Sequence, residues 1–178
     1  ISPAIFGSLF QSIMNAEARR NLGAHYTSEA NILKLIGPLF LDELRAEFRR
    51  VVHHRDKLGE FHQRLAQLRF LDPACGCGNF LVVAYREIRR LETEVLSRLH
   101  RSSAEGVRVL DMSHLLKVTV DQFYGIEIEE FPARIARTAL YLMDHKANRE
   151  ASITFGEYFA RFPIPSSPHI RIDNALRI

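Results

Sequence analysis

The stretch Arg69-Phe70-Leu71-Asp72-Pro73-Ala74-Cys75-Gly76-Cys77-Gly78-Asn79-Phe80 decides the fold. Its first three residues are a short apolar strand candidate, and the turn that follows has glycine at 76 and 78. Behind the turn, Leu81, Ala84, Ile88, Leu91, Val95 and Leu99 recur at helical spacing. A strand that turns through glycines into a helix has a definite use. Glycines remove side chains where a ligand must lie against backbone, and the first turn of the helix offers free N–H groups to an anion. Asp72, at the carboxyl end of the strand, can accept hydrogen bonds from a cationic amine. A ligand with both an ammonium and a carboxylate satisfies both features.

Working outward, the same alternation repeats downstream. Residues 101–117 are polar and irregular and read as an insertion carrying a short helix. The apolar run from Gln122 to Ile128 is a second strand, Ile135, Ala139, Leu142 and Met143 mark a helix, and Ile153 to Pro168 reads as loop. His169 to Asp173 is a third strand. Upstream the pattern is helical: a helix over residues 3–20, an irregular stretch from Gly23 to Ser28, and an apolar stripe of Ile32, Leu35 and Ile36. Pro38 suits the start of a second helix, whose buried face continues through Leu41, Leu44 and Phe48. Gly59 breaks the pattern before Phe61, Leu65 and Leu68. Strand, helix, strand, helix, strand is the order of a parallel α/β sheet, here preceded by N-terminal helices. The division falls between residues 1–68, a helical segment, and 69–178, an α/β unit.

The bulk numbers agree with one soluble domain. The chain has 178 residues with 47% hydrophobic content, enough for a core. No apolar run approaches the roughly 18 residues that span a bilayer, so no membrane partner is expected. The chain begins at Ile1 with no signal-like segment, and both ends read as excised from something longer. Cys75 and Cys77 are too close together to cross-link distant parts of a fold, which points to a reduced, cytoplasmic protein. The net charge of +3 and pI near 9.1 permit a nucleic-acid partner without requiring one. The arginines of Arg45–Arg55 and Arg86–Arg101 are interleaved with glutamates and leucines, and read as solvated helix faces.

Spacing disfavours two competing readings of the glycine turn. A dinucleotide fingerprint requires a third glycine where Leu81 stands, and its acidic ribose partner about 20 residues further on, far short of Glu127. A metal site requires more than a C-x-C pair with no His or Cys partner nearby, so no metal is expected.

The run D-P-A-C-G-C-G-N-F-L, Asp72 to Leu81, resembles motif I of the adenine-N6 DNA methyltransferases, usually D-P-A-C-G-S-G-x-F. Cys77 replaces the common serine, and a small side chain is kept. The resemblance implies S-adenosylmethionine as cofactor, whose methionine end has the required ammonium and carboxylate. It assigns Asp72, Pro73, Ala74, Cys75, Gly76, Gly78, Asn79 and Phe80 to that site. Gly23 to Ser28, G-A-H-Y-T-S, resembles motif X, which implies that His25, Tyr26 and Thr27 hold the methionine end; a plain helix cap is the other role open to Thr27. Phe123 to Ile128, F-Y-G-I-E-I, resembles motif II. By that resemblance Glu127 grips the two ribose hydroxyls and Ile128 lies against the adenine, the plain alternative for Glu127 being a surface acid. Ile170 to Leu176, I-R-I-D-N-A-L, resembles motif III and implies that Asn174, followed by Ala175, accepts from the adenine amine, with adjacent Asp173 the alternative.

The order X, I, II, III and the long insertion before motif II resemble single-chain type IIG restriction–modification enzymes. The implied activity is methylation of adenine N6 in double-stranded DNA, on an incomplete class I methyltransferase (Rossmann-like) sheet. The family's catalytic N-P-P-Y or N-P-P-F is absent from these residues, so no catalytic residue is assigned in this chain and the chain alone is expected to be inactive. DNA would be held through other parts of the parent protein. In that fold the strand ending at Asp72 lies between strands two and four, so without strand four it becomes an edge. Self-association through this edge, or its cover by the N-terminal helices, is expected. A methyltransferase acting on RNA or another substrate, and less readily a nicotinamide-dependent dehydrogenase, are the alternative readings.

Overall fold

In the structure, a computed structural model that describes residues 27–101, 115–155 and 167–177, Ser28 caps the first of the described helices. The helix expected over residues 3–20, His25 and Tyr26, the body of the insertion and residues 156–166 lie outside the described residues. Ser28 Oγ accepts from Asn31 N at 3.4 Å, starting α1 (Glu29–Ile36). The chain does not restart at Pro38. It stays helical through a wide π turn, Gly37–Leu41, into α2 (Asp42–Val51). Proline removes a backbone donor and crowds the preceding turn, and the wider turn accommodates both. Gly59 does not break the chain either, since α3 (Arg55–Gln67) runs through it. One interior glycine costs a helix only about 1 kcal/mol. Burial of Leu58, Phe61 and Leu65 outweighs that.

Among the described residues three strands follow the predicted order: β1 (Phe70–Asp72), β2 (Phe123–Glu127) and β3 (His169–Ile172). They pair in parallel in the order β1-β2-β3, so β2 is central. Phe70 lies opposite Phe123, Asp72 opposite Gly125, and Glu127 opposite Ile172. The crossovers are α4 (Asn79–Arg101) and α5 (Glu130–Phe155). Because the strands are parallel, their carboxyl ends share one edge, where α4 and α5 begin. Boundaries shift slightly from the sequence reading. Gln122 sits in a 3₁₀ turn, Ile128 and Asp173 lie just past their strands, and α5 takes in Ile153 to Phe155.

Helix α4 is the centre of the molecule, with α1, α3 and α5 packed against it. Every residue from Leu81 to Arg89 is buried. Its Tyr85 ring meets Phe123 edge-on at 5.1 Å, and Phe123 stacks on Phe70 at 4.8 Å. The reading of Arg86–Arg101 as a solvated face holds for Arg90, Glu94 and Arg98, which are exposed, and fails for Arg86, Glu87, Arg89 and Glu92, which are all buried. A helix covered on several sides keeps only a narrow face for water, so the charges on its covered sides must be paired. Glu92 accepts from the amides of Lys117 and Val118 at 2.6 and 2.9 Å and lies 3.1 Å from His62 Nε2. Arg89 donates to Val118 O and Asn148 Oδ1, each at 2.8 Å. The insertion therefore ends docked, with Leu116 and Val118 buried. The stretch Arg45–Arg55 does keep Arg49, Arg50 and Arg55 exposed. Leu35 and Leu142 leave the stripes assigned to them and are 55% and 48% exposed. Ile32 with Ile36, and Ala139 with Leu140 and Met143, already fill the inward faces.

Candidate functional site

β1 ends at Asp72, and the chain must then turn sharply to enter α4. Gly76 and Gly78 make the turn, with φ of +52° and +80°. Gly78 N donates to Cys75 O at 2.8 Å, and Cys75 N donates to Ile126 O at 3.0 Å, pinning the turn onto β2. That contact depends on Gly125, in the middle of β2. A Cβ there would stand 2.7 Å from Cys75 Sγ and 2.8 Å from Ile170 Cδ1. The sequence reading passed over Gly125, although a glycine inside an apolar strand is a signal of close approach. Gly78 has a matching role: a Cβ would lie 2.9 Å from that of Ala136, so α4 and α5 touch through it. At Gly76, by contrast, nothing lies within 4 Å of where a Cβ would be, so that position opens outward.

Two carboxylates meet at this turn. Asp72 Oδ1 accepts from Ala74 N at 3.1 Å. Glu127, at the end of β2, accepts from Gly76 N through Oε2 at 2.8 Å and from Glu129 N through Oε1 at 3.0 Å. Glu127 is therefore not a plain surface acid; it closes the glycine turn across 51 residues of chain. Burial raises Asp72 above its usual carboxyl range, the Ala74 amide opposes this, and the charge of Glu127 adds to it. Burial, with those same charges, pushes the Cys75 thiol up to about 12. Burial and Glu127 push Cys77 to about 11. At neutral pH both thiols are therefore protonated and poor nucleophiles. Among the described residues no three His, Cys, Asp or Glu side chains gather as a metal site.

The remaining assigned residues surround this centre unevenly. Pro73 and Ala74 are exposed on the turn, while Asn79 and Phe80 are half-buried at the start of α4. Ile128, just past Glu127, is 59% exposed at the carboxyl edge of the sheet. Asp173 N donates to Glu127 O at 3.0 Å, which brings the end of β3 beside the acid. Asp173 is committed to its own strand: it accepts from Asn174 N at 2.8 Å and Arg171 Nε at 2.9 Å, and the two, amide first, hold its carboxyl below the usual range. Asn174 Oδ1 accepts from Leu176 N at 3.0 Å and keeps a second lone pair; Ala175 is half-buried beside it. The helix cap belongs to Ser28 and not to Thr27, which settles the plain alternative for that hydroxyl. Arg137, not singled out by sequence, donates to Ile170 O and ties α5 to β3.

A parallel sheet with a glycine turn after its first strand and an acid ending its second is an α/β arrangement that binds a ligand at the carboxyl ends of its strands. Its fold matches that of a methyltransferase fragment. A family model described as the MmeI DNA-methyltransferase domain matches residues 48–178, and the chain belongs to that family. It is 38% identical to DNA methyltransferase A of Bacillus subtilis (strain 168) over 179 residues, covering all of this chain and 20% of that protein. The solved structure of the type IIL restriction–modification enzyme MmeI in complex with DNA superposes with a TM-score of 0.93 at 65% identity. That match covers 100% of this chain and 23% of the other. The chain thus spans less than a quarter of the length of either relative. No helix among the described residues is long and apolar enough to cross a membrane.

Proposed function

We propose that this chain binds S-adenosylmethionine at the carboxyl edge of its sheet, and that the protein carrying it methylates adenine N6 in double-stranded DNA. The observation that supports this most is the convergence of Asp72 and Glu127 on one glycine turn, with Gly76 opening outward. Asp72 would take the ammonium, and the first amides of α4 the carboxylate. Glu127 would take the ribose hydroxyls, Ile128 the adenine face, and Asn174 the adenine amine. Residues 1–68 would carry the motif X residues His25, Tyr26 and Thr27, and 69–178 the remainder. The residues present fit the group: anionic acceptors face its cation, and free backbone donors face its anion. When bound, S-adenosylmethionine supplies a methyl group on a sulfonium centre. The chain's own part is to orient that group and to present the Asp72 carboxylate, whose charge burial disfavours, to the ligand's cation. The type IIL relative was solved in complex with DNA, which supports DNA as the partner of the whole protein. The base would be held by residues beyond these.

Calorimetry with S-adenosylhomocysteine tests the site. Replacing Asp72 or Glu127 by Ala removes charge-assisted hydrogen bonds worth about 1.5–3 kcal/mol, a loss of roughly ten- to a hundredfold in affinity. Unchanged affinity in both variants would sink the assignment.

A further inference from the structure

The arginine-rich first half of α4, read from sequence as a solvated face, is instead the point where two parts of the site are joined. Arg86 sits two turns into α4, which starts directly behind the glycine turn. Its Nη1 lies 2.7 Å from Glu29 Oε1, in the first turn of α1. Glu29 follows Thr27 and Ser28, the end of the segment resembling motif X. On its other side Arg86 donates through Nε to Glu87 Oε1 at 2.9 Å. Glu87 also accepts from Arg45 of α2 at 2.9 Å and from Arg90 at 3.1 Å. The side chains of Arg86 and Glu87 are only 8% and 6% exposed. Under this network Ile32 and Ile36 of α1 pack on Val83, with Phe80 alongside. Apolar packing of this kind holds α1 against α4 but tolerates sliding and rotation. A guanidinium fork between two carboxylates does not, because its donors have fixed directions.

We infer that Arg86 is a positioning residue for the cofactor's methionine end: through Glu29 it sets where α1 begins, and so where Thr27 stands relative to the glycine turn. This rests on the cofactor reading above. Arg86 itself touches neither the turn's acids nor Thr27 in this network. Its effect on binding must therefore pass through Glu29.

The test is calorimetry with S-adenosylhomocysteine on the full-length protein. Arg86→Gln is expected to weaken binding about fivefold or more, and Glu29→Gln similarly, with the double variant no worse than either single one. Glu29 is 36% exposed, so Glu29→Gln reads the pair without leaving a buried charge unpaired. Thr27→Ala separates positioning from general stability. Its cost in affinity should shrink in the Glu29→Gln background, while the cost of Glu127→Ala should be the same in both backgrounds. Wild-type affinity in Glu29→Gln, or full additivity with Thr27→Ala, overturns the inference while leaving the cofactor site standing. If neither Asp72→Ala nor Glu127→Ala weakens binding, the site reading falls and takes this inference with it.

Discussion

Asp72 carries a cost that its proposed role explains. Its carboxyl is half-buried and sits near Glu127, and its pKa is raised first by burial and then by that charge, against the Ala74 amide. For an acid whose folded pKa lies above its unfolded one, the associated stability is complete below the unfolded value. It is lost as pH rises through the folded value. At neutral pH the ionised Asp72 therefore weighs against the ligand-free fold. Asp72→Asn keeps an acceptor for Ala74 N and removes the charge. The ligand-free variant is expected to melt above the native protein at pH 7, with the gap closing as pH falls through the raised pKa of Asp72. Added S-adenosylhomocysteine should raise the melting temperature of the native protein and leave the variant nearly unmoved, the usual exchange of stability for function at a binding site. Thermal melts across pH, with and without ligand, check both. A variant that melts below the native protein at pH 7 would contradict the account.

Glycines at the scale of elements divide by what surrounds them. At Gly78 the backbone is left-handed and Ala136 stands within 3 Å of the missing Cβ. Gly78→Ala must force α4 away from α5, and is expected to destabilise by about 1–3 kcal/mol in urea unfolding. Gly59 lies within α3 with nothing within 4 Å of its missing Cβ. There Gly59→Ala should stabilise by roughly 0.5–1 kcal/mol in the same experiment. The sequence distinguished these poorly, since it showed Gly59 as a break and gave no partner for Gly78. Legibility elsewhere followed the same rule. The strand–turn–helix order and the acids Asp72 and Glu127 were readable because each rests on a short local pattern. The burial of Arg86, Glu87, Arg89 and Glu92 was not, because their partners Glu29, Arg45, His62, Val118 and Asn148 come from five other parts of the chain. A helical period shows which residues share a face; it does not show how many of those faces are covered. The continuity through Pro38 was hidden for a different reason, since a π turn leaves no pattern in side-chain types.

For the molecule as a whole, the two edges of the sheet are protected unequally. Among the described residues β1 and β3 each pair only with β2, so both present free backbone groups on one side. β3 follows Pro168 and carries exposed His169 and Arg171, features that blunt an edge against pairing. β1 is Phe70-Leu71-Asp72, with Leu71 64% exposed. Part of the expected cover is present, because the Phe40 ring, in the π turn of the N-terminal helices, lies 4.9 Å from that of Phe70. That contact shields one face of β1, while its outer edge has no strand beside it among the described residues. A strand of this kind is a template for another chain. The 178-residue polypeptide by itself is therefore expected to associate as its concentration rises, through β1. Sedimentation equilibrium should show the association constant falling in Leu71→Lys, which places a charge on that strand. It should hold steady in Leu176→Lys, where an equally apolar and still more exposed side chain follows β3. If both substitutions reduce association alike, scattered surface hydrophobicity drives it and the edge does not. If the polypeptide stays monomeric at the highest soluble concentration, Phe40 and its neighbours protect β1 well enough without a further strand.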